Sequence, residues 1–258
     1  SIYIIGTGLA IAMAMIMAII YYIKIAPLYP ENNRSRTLVF TRMMLTYPDS
    51  DRRTTSNLSH SFVKEHFYTL QSPEAVTGIL TIRNDRPLVK QQGGKLNMPT
   101  TVGYVDNDFW KVFTFKFLSG KPFSKEDFES GIKTAVISAS MANKLFGTIE
   151  AEGLRMTLDN NEYRIAGVVK DVSYATPVTY AEIWVPYTVK PEELKPLNMG
   201  EGYMGRMKVY ILAPSVAAMD DVKNEVETVF HNINSSQDRY KVHINGQPDP
   251  YWRSVFRI

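Results

Sequence analysis

Ser61-Phe62-Val63-Lys64 sets a hydroxyl three residues before an amine. In penicillin-binding enzymes this S-x-x-K spacing lets a lysine serve the serine nucleophile. The companion motifs S-D-N and K-T-G are absent from the chain. A serine capping a helix, followed by a solvated lysine, fits the same four residues. A membrane-anchored serine hydrolase using Ser61 and Lys64 is therefore carried as an alternative. Failure of a β-lactam probe to acylate the wild-type protein, with Ser61→Ala as the control, would end that reading.

Other reactive constellations are missing. The chain has no cysteine, which excludes disulfides, zinc–thiolate sites, iron–sulfur clusters and a thiol nucleophile. His60, His66, His231 and His243 form no metal-ligand spacing, and H-E-x-x-H does not occur. Gly94-Lys95 lacks the earlier glycine of a P-loop, and Gly6-Thr7-Gly8 lies inside an apolar run. Glu126, Asp127 and Glu129 read as the solvated start of a helix rather than an acid–base pair. No catalytic, cofactor-binding or metal residue is assigned.

What these residues sit on is an uneven chain. Its 258 residues are 45% hydrophobic and 21% charged, a composition that folds. The 29 basic and 26 acidic residues leave a net charge of +3, no global electrostatic case for nucleic acid. Ile2 to Ile23 runs for 22 residues without a charge. As a helix it is roughly 33 Å long, enough for a hydrocarbon core of about 30 Å. Tyr21, Tyr22 and Lys24 mark an interface, and Pro27 and Pro30 stop the helix. A signal peptide has a shorter apolar core and a basic start, and a buried core helix is seldom this long. Gly6, Ala10, Ala14 and Ala18 make one small-residue stripe on which a second membrane helix could pack. If it does, the span has neighbours and the chain is a fragment or a subunit.

After Pro30, ENNRSR reads as a polar linker. Thr37 to Met44 is β-prone, TYPDSDRRTTSN reads as loop, and Leu58, Phe62, Phe67 and Leu70 fit a helix capped by Ser59 or Ser61. Ala75 to Ile82 follows as a strand, then Val102 to Tyr104. Asp106 is placed to cap a short helix carrying Phe109, Trp110 and Phe113, and Ser124 with Asp127 resembles a capping box. Thr134 to Ser138 is a buried-type strand, followed by a helix that ends at Gly147. Leu154 to Val169 alternates on both sides of Asp159-Asn160-Asn161, a hairpin signature. Strands at Ile183–Pro186, Lys208–Leu212 and Tyr240–Ile244 flank a helix carrying Met219, Val222, Val226, Val229 and Ile233. Residues 251–258 are aromatic and basic, as at the approach to a second span.

Three runs together carry a family resemblance: FTFKFLSGKPFSKEDF, KTAVISASMANKLFG and LRMTLDNNEYRIAGVVKDV, all between Phe113 and Val172. In order they hold an aromatic strand ending in Gly, an acidic capped turn, an AVIS-type strand, a helix ending LFG and a hairpin finishing G-V-V-K-D. This resembles the MacB-like periplasmic core domain of ABC transporter permeases, in the FtsX-like permease superfamily. Two stretches depart from the pattern. Ile149-Glu150-Ala151-Glu152-Gly153 replaces a Pro-Ile/Leu-Gly-Lys segment, and Pro191 to Gly205 matches nothing.

The resemblance implies an α+β fold: an N-terminal transmembrane helix (1–25), then a two-lobed extracytoplasmic domain. A porter-like αβ lobe would span 36–100 and 173–248, with a smaller α+β lobe inserted at 101–172, and 249–258 would approach a second span. It implies a permease subunit in the bacterial inner membrane whose main domain is periplasmic. Its partners would be the ATP-binding subunit of an ABC system, a second permease copy or homologue, and membrane lipid. ATP hydrolysis would lie on the separate subunit, its conformational change driving export or extraction of an envelope substrate. A regulatory or sensing module of the same fold, moving no substrate, is the main alternative. Three further apolar segments of about 20 residues encoded downstream would support the permease.

Overall fold

The computed structural model describes residues 2–83, 85, 87–94 and 97–254. Its strands in chain order are β1 (Thr37–Phe40), β2 (Met43–Tyr47), β3 (Ser50–Leu58), β4 (Ala75–Leu80), β5 (Leu88–Gln91), β6 (Met98–Pro99), β7 (Val102–Val105) and β8 (Phe117–Gly120), then β9 (Thr134–Ser138), β10 (Arg155–Leu158), β11 (Asn161–Val169), β12 (Ile183–Pro186), β13 (Met204–Gly205), β14 (Met207–Leu212), β15 (Lys241–His243) and β16 (Asp249–Pro250). The helices are α1 (Ile2–Ile25), α2 (His60–Phe62, continued by a π-type turn at Val63–Phe67), α3 (Phe109–Val112), α4 (Lys125–Glu129), α5 (Ala139–Phe146), α6 (Pro191–Leu194), α7 (Met219–Ser235) and α8 (Tyr251–Ser254).

α1 is 24 residues, about 36 Å at 1.5 Å per residue. None of its apolar window from Gly6 to Ile25 is buried inside the protein. Leu9, Met13, Ile16 and Ile20 on it are exposed. A continuous exposed apolar surface of this length marks a membrane or partner contact, and the helix is long enough to cross a bilayer.

Twelve of these strands form one hydrogen-bonded path, β15-β2-β3-β14-β4-β7-β12-β9-β11-β10-β5-β6, from which β1 and β16 branch at β14, β13 at β3 and β8 at β11. Its central strands read as continuous apolar runs because both faces are covered. Val209 and Ile211 of β14 point into one core cluster, Tyr210 and Leu212 into the other. Ala135 and Ile137 oppose Val136 in the same way, and Ile183 and Val185 oppose Trp184. β4 pairs with β7, β12 lies between β7 and β9, and β5 and β6 extend the edge beyond β10.

Local signals account for most of the boundaries. Ser59 Oγ accepts from Phe62 N (3.2 Å) and Ser138 Oγ from Met141 N (3.1 Å), capping α2 and α5. Ser124 and Asp127 close a capping box on α4. Asp159 (φ 47°) and Asn160 (φ 61°) form the two-residue turn between β10 and β11. Two readings need correction. TYPDSDRRTTSN is not a loop: β3 pairs with β2 from Met43↔Ser56 to Tyr47↔Ser50. Its residues are polar and largely exposed on both faces, so no period-2 apolar pattern marks it. ENNRSR is not a free linker either, since Glu31 and Arg34 are buried.

Two of the three glycines in the quoted runs, Gly120 and Gly167, have a packing reason. Gly120 ends β8 at φ +65° and faces Gly167 of β11 across the ladder. A Cβ on Gly120 would lie 2.3 Å from Ala166 O, and one on Gly167 would lie 2.7 Å from Lys121 O. Gly147, at φ +72°, has nothing within 4 Å of such an atom. Gly147→Ala should therefore cost about 1–2 kcal/mol, from the left-handed backbone alone. Gly120→Ala adds overpacking of about 1–3 kcal/mol. Equilibrium urea denaturation reads the gap, and equal costs would contradict this packing.

Candidate functional site

Among the described residues, buried polar side chains gather in a cleft beside α2 and at the joint where α1 meets the domain.

The cleft, about 550 Å³, is lined by residues that include His60, Lys64, Tyr68, Asp106, Phe128 and Tyr187. Asp106 is buried just past the end of β7 and accepts four hydrogen bonds. They come from Tyr68 OH (2.6 Å), Thr77 Oγ1 (2.6 Å), Gly78 N (2.7 Å) and Phe109 N (3.0 Å). Burial pushes its carboxyl up to about 6, against the pull of those donors. Burial and the Asp106 charge hold the Tyr68 hydroxyl well above its ordinary range, and burial with Lys64 lowers His60. With its acceptor positions taken, Asp106 fastens α2, β4 and α3 together rather than serving as a base. Ser61 does not line the cleft, and its hydroxyl is 3.1 Å from Ser59 Oγ. The structure thus places Lys64 at the cleft and Ser61 outside it.

The joint is built on Glu31 and Arg34, whose side chains are 0% and 3% exposed. Arg34 donates to Glu31 Oε2 through Nε (2.9 Å) and Nη2 (2.7 Å). Its Nη1 donates to Ile23 O and Ala26 O, both at 2.7 Å. A helix leaves its last four carbonyls without partners, and the macrodipole makes that end negative. Arg34 answers both demands for α1 with one rigid, always-charged group. Its Nη2 also reaches Ala175 O at 3.5 Å.

Glu31 faces the other way. Its Oε1 accepts from Thr179 N (3.2 Å) and Thr179 Oγ1 (2.9 Å), and Oε2 accepts from Tyr251 OH. The Tyr251 ring lies against the guanidinium, 4.9 Å from its carbon. Burial and the Glu31 charge raise the Tyr251 hydroxyl far above its ordinary range, so it stays a donor. Nearby, Tyr29 OH accepts from Lys116 N (3.1 Å) and donates to Lys170 O (3.2 Å). Asp171 accepts from Ser140 N and Oγ at 2.8 and 2.6 Å, so the K-D of the hairpin motif ties α5 to the same region. α1, the 173–180 loop and α8 therefore meet on one ion pair.

The model of the MacB-like periplasmic core domain matches residues 4–229. The chain belongs to this family. A curated relative, an uncharacterized ABC transporter permease YknZ of Bacillus subtilis strain 168, is 22% identical over 205 residues. That match covers 77% of this chain and 49% of the relative, so the chain spans about half the relative's length. Among solved structures, the periplasmic region of MacB from Actinobacillus actinomycetemcomitans superposes with a TM-score of 0.55 at 14% identity, covering 88% of this chain and 97% of that one. The extracellular domain of YknZ, a noncanonic ABC-type transporter of Gram-positive bacteria, gives 0.51 at 16%, covering 78% and 99%. A domain of a permease protein from Porphyromonas gingivalis gives 0.55 at 18%, covering 82% and 88%. These likenesses share the α+β fold of this chain's sheet-rich domain, which here follows an apolar helix.

Gly6, Ala10, Ala14 and Ala18 lie on the exposed part of α1, and nothing comes within 4 Å of a Cβ built on Gly6. Residues 255–258 of the expected approach to a second span fall outside the described residues. Sequence reading missed the joint. Its one signal was a Glu and an Arg three apart directly after Pro30.

Removing one partner of a buried pair leaves an uncompensated charge, so Arg34→Met should cost about 3–5 kcal/mol. Adding Glu31→Gln should recover most of that, because no buried charge remains and the new amide oxygen still offers Thr179 an acceptor. Thermal unfolding in membrane mimetic reads both variants, and additive losses would contradict the pairing.

Proposed function

We propose that the chain is the first membrane span and extracytoplasmic domain of an ABC permease subunit, held in the bacterial inner membrane. ATP is hydrolysed on a separate subunit, and the joint at Glu31 and Arg34 passes movement of α1 into the domain, driving export or extraction of an envelope substrate. Family membership supports the permease part. The observation that carries the mechanical part is Arg34, which bonds the end of α1 and the 173–180 loop with one guanidinium. A planar fork bonded on several sides has few rotamers left, so it resists bending between the parts it holds. The Gly6, Ala10, Ala14 and Ala18 face is where a second membrane helix, from this subunit or another copy, packs on α1.

The test uses the chain co-expressed with the ABC ATP-binding subunit of its own organism and reconstituted in bilayer discs. The subunit should co-purify, and ATP with vanadate should change the emission of a dye on Glu162→Cys, at the far end of β11. The paired variant Glu31→Gln, Arg34→Met should keep ATP hydrolysis and lose the emission change. Failure to recruit the subunit contradicts the permease reading. An emission change that survives in the paired variant contradicts transmission through the joint.

A further inference from the structure

Among the described residues, Tyr174 is the most exposed large apolar or aromatic side chain of the domain, at 79%. It is not a loose end. Its ring stacks on Tyr180 with centroids 4.0 Å apart and planes 29° from parallel. The loop beneath is braced by Thr176 N to Ser173 O (3.0 Å), Ala175 N to Ser173 Oγ (3.1 Å) and Tyr180 N to Thr176 O (2.9 Å). Tyr180 is half-buried against the second core cluster, so Tyr174 is the ring held rigidly in water, where it gains little unless something apolar meets it.

The level of Tyr174 relative to a bilayer follows from the joint. Arg34 bonds the carbonyls of Ile23 and Ala26 at the end of α1, and also the carbonyl of Ala175, the next residue after Tyr174. One guanidinium thus separates the loop from the point where α1 leaves the hydrocarbon. That same point carries Tyr21, Tyr22 and Lys24, and the exposed Trp252 sits on α8, which packs against α1. Tyr and Trp favour this depth because the ring body is apolar and its polar tip stays wet.

We propose that the 173–180 loop is a second, non-helical attachment to the membrane, with Tyr174 seated among lipid headgroups and upper acyl chains. The proposal rests on the reading of α1 as a span. Two contacts side by side, one helix and one aromatic loop, fix the tilt of the domain over the bilayer, which a single helix leaves free to rotate.

The absence of cysteine allows single nitroxide labels on the full chain in vesicles of phosphatidylethanolamine and phosphatidylglycerol. Collision with oxygen, which enriches in lipid, is compared with collision with a water-soluble nickel chelate. Met15→Cys reports the middle of α1, Tyr22→Cys its end, and Glu162→Cys the far end of β11. The 174 position (Tyr174→Cys) should give an oxygen-to-nickel ratio matching Tyr22→Cys and above Glu162→Cys. Tyr174→Trp in a Trp252→Phe background should gain quenching by brominated lipid, with the aromatic ring retained. A ratio at 174 equal to that at 162, while Met15→Cys reads as lipid, overturns the loop attachment and spares the span. Shielding of the 174 label from both reagents means a protein partner covers it and also overturns the proposal. An aqueous Met15→Cys overturns the span reading, and the loop attachment with it.

Discussion

A carboxylate with no exposed surface sets the terms for this molecule. Burying Glu31 and Arg34 costs several kcal/mol per ion before any bond is made. That cost is offset only if every polar atom finds a partner, and here the partners come from three separate parts of the chain. An apolar plug would hold the same parts together about as well. It would not cap the carbonyls of α1, and it would not specify one geometry. The pair therefore does what packing alone does not: it bonds the end of the apolar helix α1, the 173–180 loop and α8 at one place.

The body beside the joint is packed on both sides of its sheet. Its central strands are covered on both faces, with Phe40, Phe67 and Phe230 in one core and Phe109, Phe113 and Trp184 in the other. Interiors packed at crystal density deform little. Asp106, with four donors on one carboxylate, locks α2, β4 and α3 at the centre, and the Gly120–Gly167 contact draws β8 tightly onto β11. Asp106 braces elements here, and Ser61 lies outside the cleft that Lys64 lines.

Much of this was legible in the sequence because it follows from local rules. A charge-free run of helical length, serine caps, an Asp-Asn turn and apolar strands such as TAVIS each have one short-range physical cause. The strand β3 was illegible because it is polar on both faces, and pairing with β2 rather than burial makes it a strand. The joint was illegible for a different reason. Glu31 and Arg34 lie in the stretch that reads as linker, Tyr251 in the aromatic tail and Thr179 in a stretch with no sequence signal, and only tertiary contact buries them. Asp106 shows the intermediate case: its bond to Phe109 N was readable as a cap, its bonds to Tyr68, Thr77 and Gly78 were not.

The claim on which the account stands is that α1 and the domain move as one piece. Paired nitroxides at Tyr22→Cys and Glu162→Cys, measured by pulsed dipolar spectroscopy in a bilayer, test it directly. A stiff joint predicts a single narrow distance distribution that broadens when Glu31 and Arg34 are replaced together. A broad distribution in the otherwise unaltered protein would show that the ion pair does not hold the helix to the domain.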